Sequence, residues 1–411
     1  MTEERIINCE TLVINKTDPL HCNCRKRPAI DTNDETKRLK VQNESGKVDK
    51  QNNSVTSKEE SNCNNKEEPT SLLVFSDDIL LMIISNLNHQ NIINLSKTCT
   101  RLHRICQDHT LWRDVNFGDH IVTQTEMNVI LKYVSAETKS IYLKGYHESE
   151  GGIVEDTLSV EWLSEIREKC TSLLSLSLPN HYIDGKDINI HQYPRTLVKL
   201  DLSNTYLRDH PKNKSYFKDL STILPDLEVL ILSNCHWFEP HSMMALSKCP
   251  KLKELRLDNC IQFKDCVAYV GLATRGGFKA LKTLDLRKCP VGSSELNCFT
   301  SVNTIVNLYL ESPTCDGSIQ IDTPIKILFT AEPMIEIRLD GNQQKVACPR
   351  LKIEKLAIRN YKEMTDTSLD RLAREAIFLK YLDVTGSGVT ADGIERFRTL
   401  RPNVTLVNDN L

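Results

Sequence analysis

One nine-residue line recurs along the chain, and it restricts the possible folds more than any other feature. It carries leucine-type residues at positions 1, 4 and 6. The clearest copies are LVKLDLSNT (197–205), LEVLILSNC (227–235), LKELRLDNC (252–260) and LKTLDLRKC (281–289). Weaker copies are LLSLSLPNH (173–181), IVNLYLESP (305–313), MIEIRLDGN (334–342), IEKLAIRNY (353–361) and LKYLDVTGS (379–387). SIYLKG (140–145) stands before this series and NVTLVN (403–408) after it. The central leucines Leu176, Leu200, Leu230, Leu255, Leu284 and Leu308 lie 24, 30, 25, 29 and 24 residues apart. Those steps bracket the roughly 20–29 residues of a stacked strand-plus-helix unit. A single unit cannot bury its own apolar side, so neighbours must stack into a solenoid. Segments such as SMMALSKCP and TSLDRLAREAIFLKYL between the lines have helical spacing. The predicted fold class is α/β: a curved parallel sheet on the concave side, with helices outside.

The line has the form of the leucine-rich repeat, L-x-x-L-x-L-x-x-N/C. Position 9 falls under the turn, where Asn or Cys can satisfy backbone groups, and Cys235, Cys260 and Cys289 occupy it. Cys170, Cys249 and Cys348 precede repeat strands. All six read as structural thiols. The 15 cysteines are an odd number scattered over a long chain, which speaks against a disulfide framework. The spacing contains no C-x₂-C pair with a matching second pair, so no metal site is expected. HCNC (21–24) has the donor types but lacks a second half.

Composition divides the chain into a polar tail (1–70), a small helical unit (71–118) and the repeat domain (119–411). The tail holds no Phe, Trp or Tyr and reads as disordered, because it cannot bury enough apolar surface to offset its ordering entropy. Arg25, Lys26 and Arg27, then Lys37, Arg38 and Lys40, form two basic clusters around a polar spacer. They look like a bipartite nuclear-import signal, although a charge run in a tail can equally be a solvated one. The net charge of −3 offers no global basic field for nucleic acid. There is no apolar run of roughly eighteen residues, and the first residues lack the order of a signal peptide. The expected setting is intracellular, cytoplasmic and/or nuclear. No phosphate loop, dinucleotide fingerprint, zinc-protease motif or nucleophile elbow is present in the sequence. No catalytic residue and no cofactor are therefore expected.

The helical unit opens with FSDDILLMIISNL (75–87), in which Ser76 can cap a helix and Asp77 and Asp78 suit its first turn. NIINLSKTCTRLHRIC and DHTLWRDV follow, giving three short helices and a closing tryptophan, Trp112. His89, His103 and His109 read as surface or partly packed residues. The unit resembles the F-box, whose motif runs L-P-x-E-I-L-x-x-I-L-S-x-L, then V-C-R-x-W, then L-W-R. Asp78, Ile79, Leu80, Ile83, Ile84, Ser85 and Leu87 fit the first part; Cys99, Arg101 and Leu102 the second; Leu111, Trp112 and Arg113 the third. With the repeats behind it, the chain resembles the F-box/LRR-repeat family. That resemblance implies a substrate-recognition subunit of an SCF-type cullin–RING ubiquitin ligase, bound through a Skp-family adaptor to the cullin scaffold and RING subunit. It implies an adaptor-binding face of Phe75, Ser76, Ile79, Leu80, Ile83 and Leu87, with Ser76 standing where the family has proline. The alternatives are a plain helical cap of the array and a non-ligase repeat scaffold or inhibitor.

On the concave sheet, positions 5 and 7 point outward. Arg256, Asp258, Asp285, Arg287, Tyr309 and Arg338 are the candidate target contacts there. Mixed charges with aromatic and Arg anchors suit a protein partner rather than a phosphate backbone or a membrane.

Overall fold

The computed structural model describes residues 72–146, 158–211, 214–313, 321–329, 333–339, 342–347 and 351–409. The tail expected to be disordered, its basic clusters and HCNC lie outside these residues.

Three short helices open the described chain: α1 (Asp77–Ile84), α2 (His89–Ser96) and α3 (Thr100–Cys106). Each starts with a capping side chain, as Ser76, Asn88 and Cys99 accept from the amides of Ile79, Asn91 and Leu102. Helices this short are marginal alone, since isolated helices need about 12–15 residues. Packing therefore holds them, through Leu80, Ile84, Ile92, Leu102, Ile105 and Trp112, all buried. The Trp112 indole N–H donates to the Cys106 carbonyl at 2.7 Å, and its ring stacks on Tyr133 with centroids 4.3 Å apart. His89 is buried as well, contrary to expectation. Its Nε2 lies 3.0 Å from the Leu111 carbonyl, its Nδ1 lies 3.2 Å from the Asn116 amide, and its ring meets Trp112 edge-on. It thus ties α2 to the first strand.

That strand, β1 (Asp114–Ile121), pairs in parallel with Ser140–Lys144. The array therefore begins one strand before SIYLKG. Among the described residues the main sheet has eleven strands, in chain order from β1 to Thr405–Val407. Val115, Ile141, Leu176, Leu200, Leu230, Leu255, Leu284 and Leu308 stand in register across it. Leu356, Leu382 and Leu406 continue the row. All are buried, which is why position 4 of the line is so restricted.

One expected repeat strand is displaced. Pro333–Leu339 pairs antiparallel with Asn342–Ala347 as a separate hairpin, and Asn307–Glu311 pairs directly with Lys355–Arg359. Arg338 therefore does not lie on the concave sheet. The local reason is legible: Asp340 and Gly341 separate two extended runs, and Asp-Gly is a strong hairpin signal.

The turn after seven of the sheet strands shares one conformation. Position 8 is left-handed at Asn180, Asn204, Asn234, Asn259, Lys288, Asn360 and Gly386, with φ between 53° and 71°. Asn and Gly tolerate that region best. The asparagines also ladder: Asn204 donates to Asn180 at 2.6 Å and Asn259 to Asn234 at 2.7 Å. At position 9 the thiols of Cys235, Cys260 and Cys289 donate to the carbonyls of Leu202, Leu232 and Leu257 at 3.0, 3.1 and 2.8 Å. Each thiol thus gives a second donor to a carbonyl of the preceding repeat that already accepts a backbone amide of its own turn. Burial pushes the Cys235 and Cys289 thiols up to about 12 and raises Cys260 too.

Candidate functional site

Two surfaces stand out. The first is on α1. Leu80 and Ile84 are fully buried, whereas Phe75, Ile79, Ile83 and Leu87 are exposed and Met82 is 70% exposed. Residues 79, 82 and 83 fall at helical spacing on α1, and Phe75 and Leu87 flank its two ends. Ser76 is exposed beside it at the cap. Four of the five apolar residues expected on this face lie there. Leu80 does not: it points the other way, into the core with Ile84. Met82, which sequence reasoning passed over, takes its place. The available signal was its spacing of three from Ile79.

A charge cluster fixes the start of this surface. The Arg101 side chain on α3 donates through Nη1 to the Leu73 carbonyl at 2.6 Å and through Nη2 to the Phe75 carbonyl at 2.7 Å. Its Nε donates to Asp77 Oδ1 at 2.8 Å, and Arg104 pairs with the other oxygen. The Arg101 hydrogen bond is the main cause that holds the Asp77 carboxyl below the usual aspartate range.

The second surface is a concave cavity of about 320 Å³. It brings together Arg256, Asp285, Arg287 and Tyr309, four of the six expected contacts, and adds Arg359, Tyr381 and Asp383. Arg256, Asp285, Tyr309, Ala357 and Asp383 form one row across five strands, and Arg287, Glu311 and Arg359 form the next. Asp258 lies outside the cavity, where it accepts from Ser233 Oγ. Asp285 lines the cavity but is buried, and so serves to hold Arg287. Arg287 donates to it through Nε at 2.9 Å and Nη2 at 2.6 Å. That hydrogen bond raises the Arg287 pKa further. Arg359 donates to Asp383 through Nε at 2.7 Å. Burial would raise the Asp383 carboxyl, but the hydrogen bonds from Arg359 and Thr385 outweigh it and hold the carboxyl low. Arg359 stands beside Glu311, and Ala357 beside Tyr309, because the line at 334–342 is not in the sheet.

Among the described residues no cluster of His, Cys, Asp or Glu could hold a metal ion, and no helix is long and apolar enough to cross a membrane.

Residues 77–118 match the family model described as F-box-like. This segment is an F-box-like domain. F-box/LRR-repeat protein 12 of Homo sapiens is 26% identical over 214 residues, covering 52% of this chain and 64% of that protein. The Mus musculus protein of the same name is 28% identical over 182 residues, covering 44% and 54%. The chain spans about three-fifths of the length of the curated relatives it matches. One chain of a crystal structure of the Rad7 and Elc1 complex in yeast is 17% identical with a TM-score of 0.39, covering 82% of this chain and 91% of that one.

Proposed function

We propose that this chain is the non-catalytic substrate-recognition subunit of an SCF-type cullin–RING ubiquitin ligase. The F-box-like domain docks on a Skp-family adaptor, which links it to the cullin and RING subunits. The concave face of the repeats holds a target protein for ubiquitination and proteasomal degradation. The observation that carries this reading is the exposed apolar surface of Ile79, Met82 and Ile83, flanked by Phe75 and Leu87, on a helix whose other face is already buried. A helix that only capped the array would need one apolar face, and α1 has two. Exposed apolar surfaces of this kind mark interfaces. Ubiquitin transfer belongs to other subunits, and this chain acts by proximity, raising the target's effective concentration.

The reading assigns the chain to cytoplasm and/or nucleus, with the clusters at 25–27 and 37–40 as an import signal. Imaging a tagged chain lacking residues 25–40 tests that signal, and unchanged localisation removes it.

The role itself is tested by reconstituting conjugation with adaptor, cullin and RING subunit. The full chain is expected to direct ubiquitin onto proteins it captures. Ile79→Asp with Ile83→Asp should abolish conjugation while capture persists. Arg256→Glu with Arg287→Glu should abolish capture while the adaptor stays bound. Conjugation that persists in the α1 variant contradicts the role.

A further inference from the structure

The concave cavity has a charge layering that specifies what it holds. Each of its three arginines is leashed to an acid that lies deeper. The Arg256 side chain is 46% exposed over Glu254 at 24%, Arg287 34% over Asp285 at 5%, and Arg359 39% over Asp383 at 0%. The three acids cancel the formal charge of the three arginines, and Asp258 and Glu311 also act on Arg287, but the paired acids hold the guanidinium groups from beneath. What meets an incoming molecule is a set of N–H donors.

Those donors are preorganised. The Asp285 carboxylate takes Nε and Nη2 of Arg287, and the Asp383 carboxylate takes Nε and Nη2 of Arg359. The Tyr381 side chain is a further hydrogen-bond partner of Arg359. Glu311 stands between Arg287 and Arg359 in the sheet, but Asn360 donates to it at 3.1 Å and Lys288 lies 3.8 Å away. It is thus drawn toward the turn. Tyr309 supplies an aromatic wall, with the Arg287 guanidinium 6.0 Å from its ring centre. The volume of about 320 Å³ is at the small end for ligand sites, roughly 300–1,000 Å³. It suits one side chain with its neighbours, not a packed helix.

We propose that this cavity recognises an anionic side chain on an extended segment of the target, through the guanidinium donors of Arg256, Arg287 and Arg359 that line it. Planar guanidinium forks match carboxylate and phosphate geometry. The proposal rests on the receptor reading only in taking the concave face as the target-binding face.

The test uses the full chain purified with the Skp-family adaptor. Degenerate fluorescent nonapeptides carry a fixed central Glu, phosphoserine, Gln or Lys, and binding is read by polarisation. The Glu or the phosphoserine pool is expected to bind at least about tenfold tighter than Gln and Lys, weakening as salt rises. Which of the two is preferred separates a carboxylate from a phosphate signal. Arg256→Gln, and separately Asp285→Asn with Arg287→Gln, should flatten the preference. The double change removes both charges of the buried pair and so spares the fold. Equal binding of all four pools overturns the proposal, as does a preference that survives both variants. Adaptor co-elution is read on the same preparations. Its loss from the wild-type chain strikes the receptor reading alone, whereas flat peptide binding with adaptor retained strikes the cavity alone.

Discussion

Arg101 on α3 is joined to Asp77 in the first turn of α1, with Nε 2.8 Å from Oδ1, while its two terminal nitrogens hold the carbonyls of Leu73 and Phe75. One side chain thus sets where the exposed apolar surface begins. Arg101→Ala is expected to free Phe75 and weaken adaptor binding by about tenfold, or 1.4 kcal/mol. Titration of adaptor against both proteins measures it. Equal affinity would mean that Phe75 needs no such support.

The two faces of α1 should separate in mutagenesis. Leu80→Ala is expected to cost about 2–5 kcal/mol of stability, as a large-to-small change in a core. Ile83→Ala should cost less than about 0.5 kcal/mol, as a surface change, yet weaken adaptor binding. Urea unfolding of the free chain checks the first effect and adaptor titration the second.

Much of this was legible in the sequence because the line repeats. Leucines at positions 1, 4 and 6 predicted the parallel strands, and the turn cysteines predicted buried thiols. Two things were not. An apolar helix shows its spacing but not which side meets its own core, so Leu80 and Met82 exchanged roles. The line at 334–342 satisfies the repeat pattern and a hairpin pattern equally, and only pairing between distant strands decides between them. That decision removed Arg338 and made Tyr309 adjacent to Ala357 and Glu311 adjacent to Arg359.

The thiols of Cys235, Cys260 and Cys289 are buried, and burial raises their pKa values. They are expected to resist iodoacetamide in the folded chain at about pH 8, near the ordinary thiol value, and to react once the chain unfolds. Peptide mass spectrometry reads each position. Modification of Cys260 in the native chain would contradict its place beneath the turn.

The Arg359–Asp383 pair should give stability an acid limb. The folded Asp383 carboxyl sits below its unfolded value, so the unfolded state binds more protons and stability rises with pH. The contribution is fully present above the unfolded value, about 3.9, and is lost as pH falls through the lower folded value. Unfolding free energies measured across this range should fall more steeply for the wild type than for Asp383→Asn with Arg359→Gln. Identical slopes would remove the linkage.

The most direct test is co-expression of the full chain with a Skp-family adaptor, followed by size-exclusion chromatography of the wild type beside the Ile79→Asp, Ile83→Asp variant. An equimolar complex is expected for the wild type, and a folded, adaptor-free variant with an unchanged melting temperature, because Leu80 and Ile84 still fill the core. A wild-type chain that elutes alone as a stable monomer would contradict this and leave α1 as the cap of a repeat scaffold.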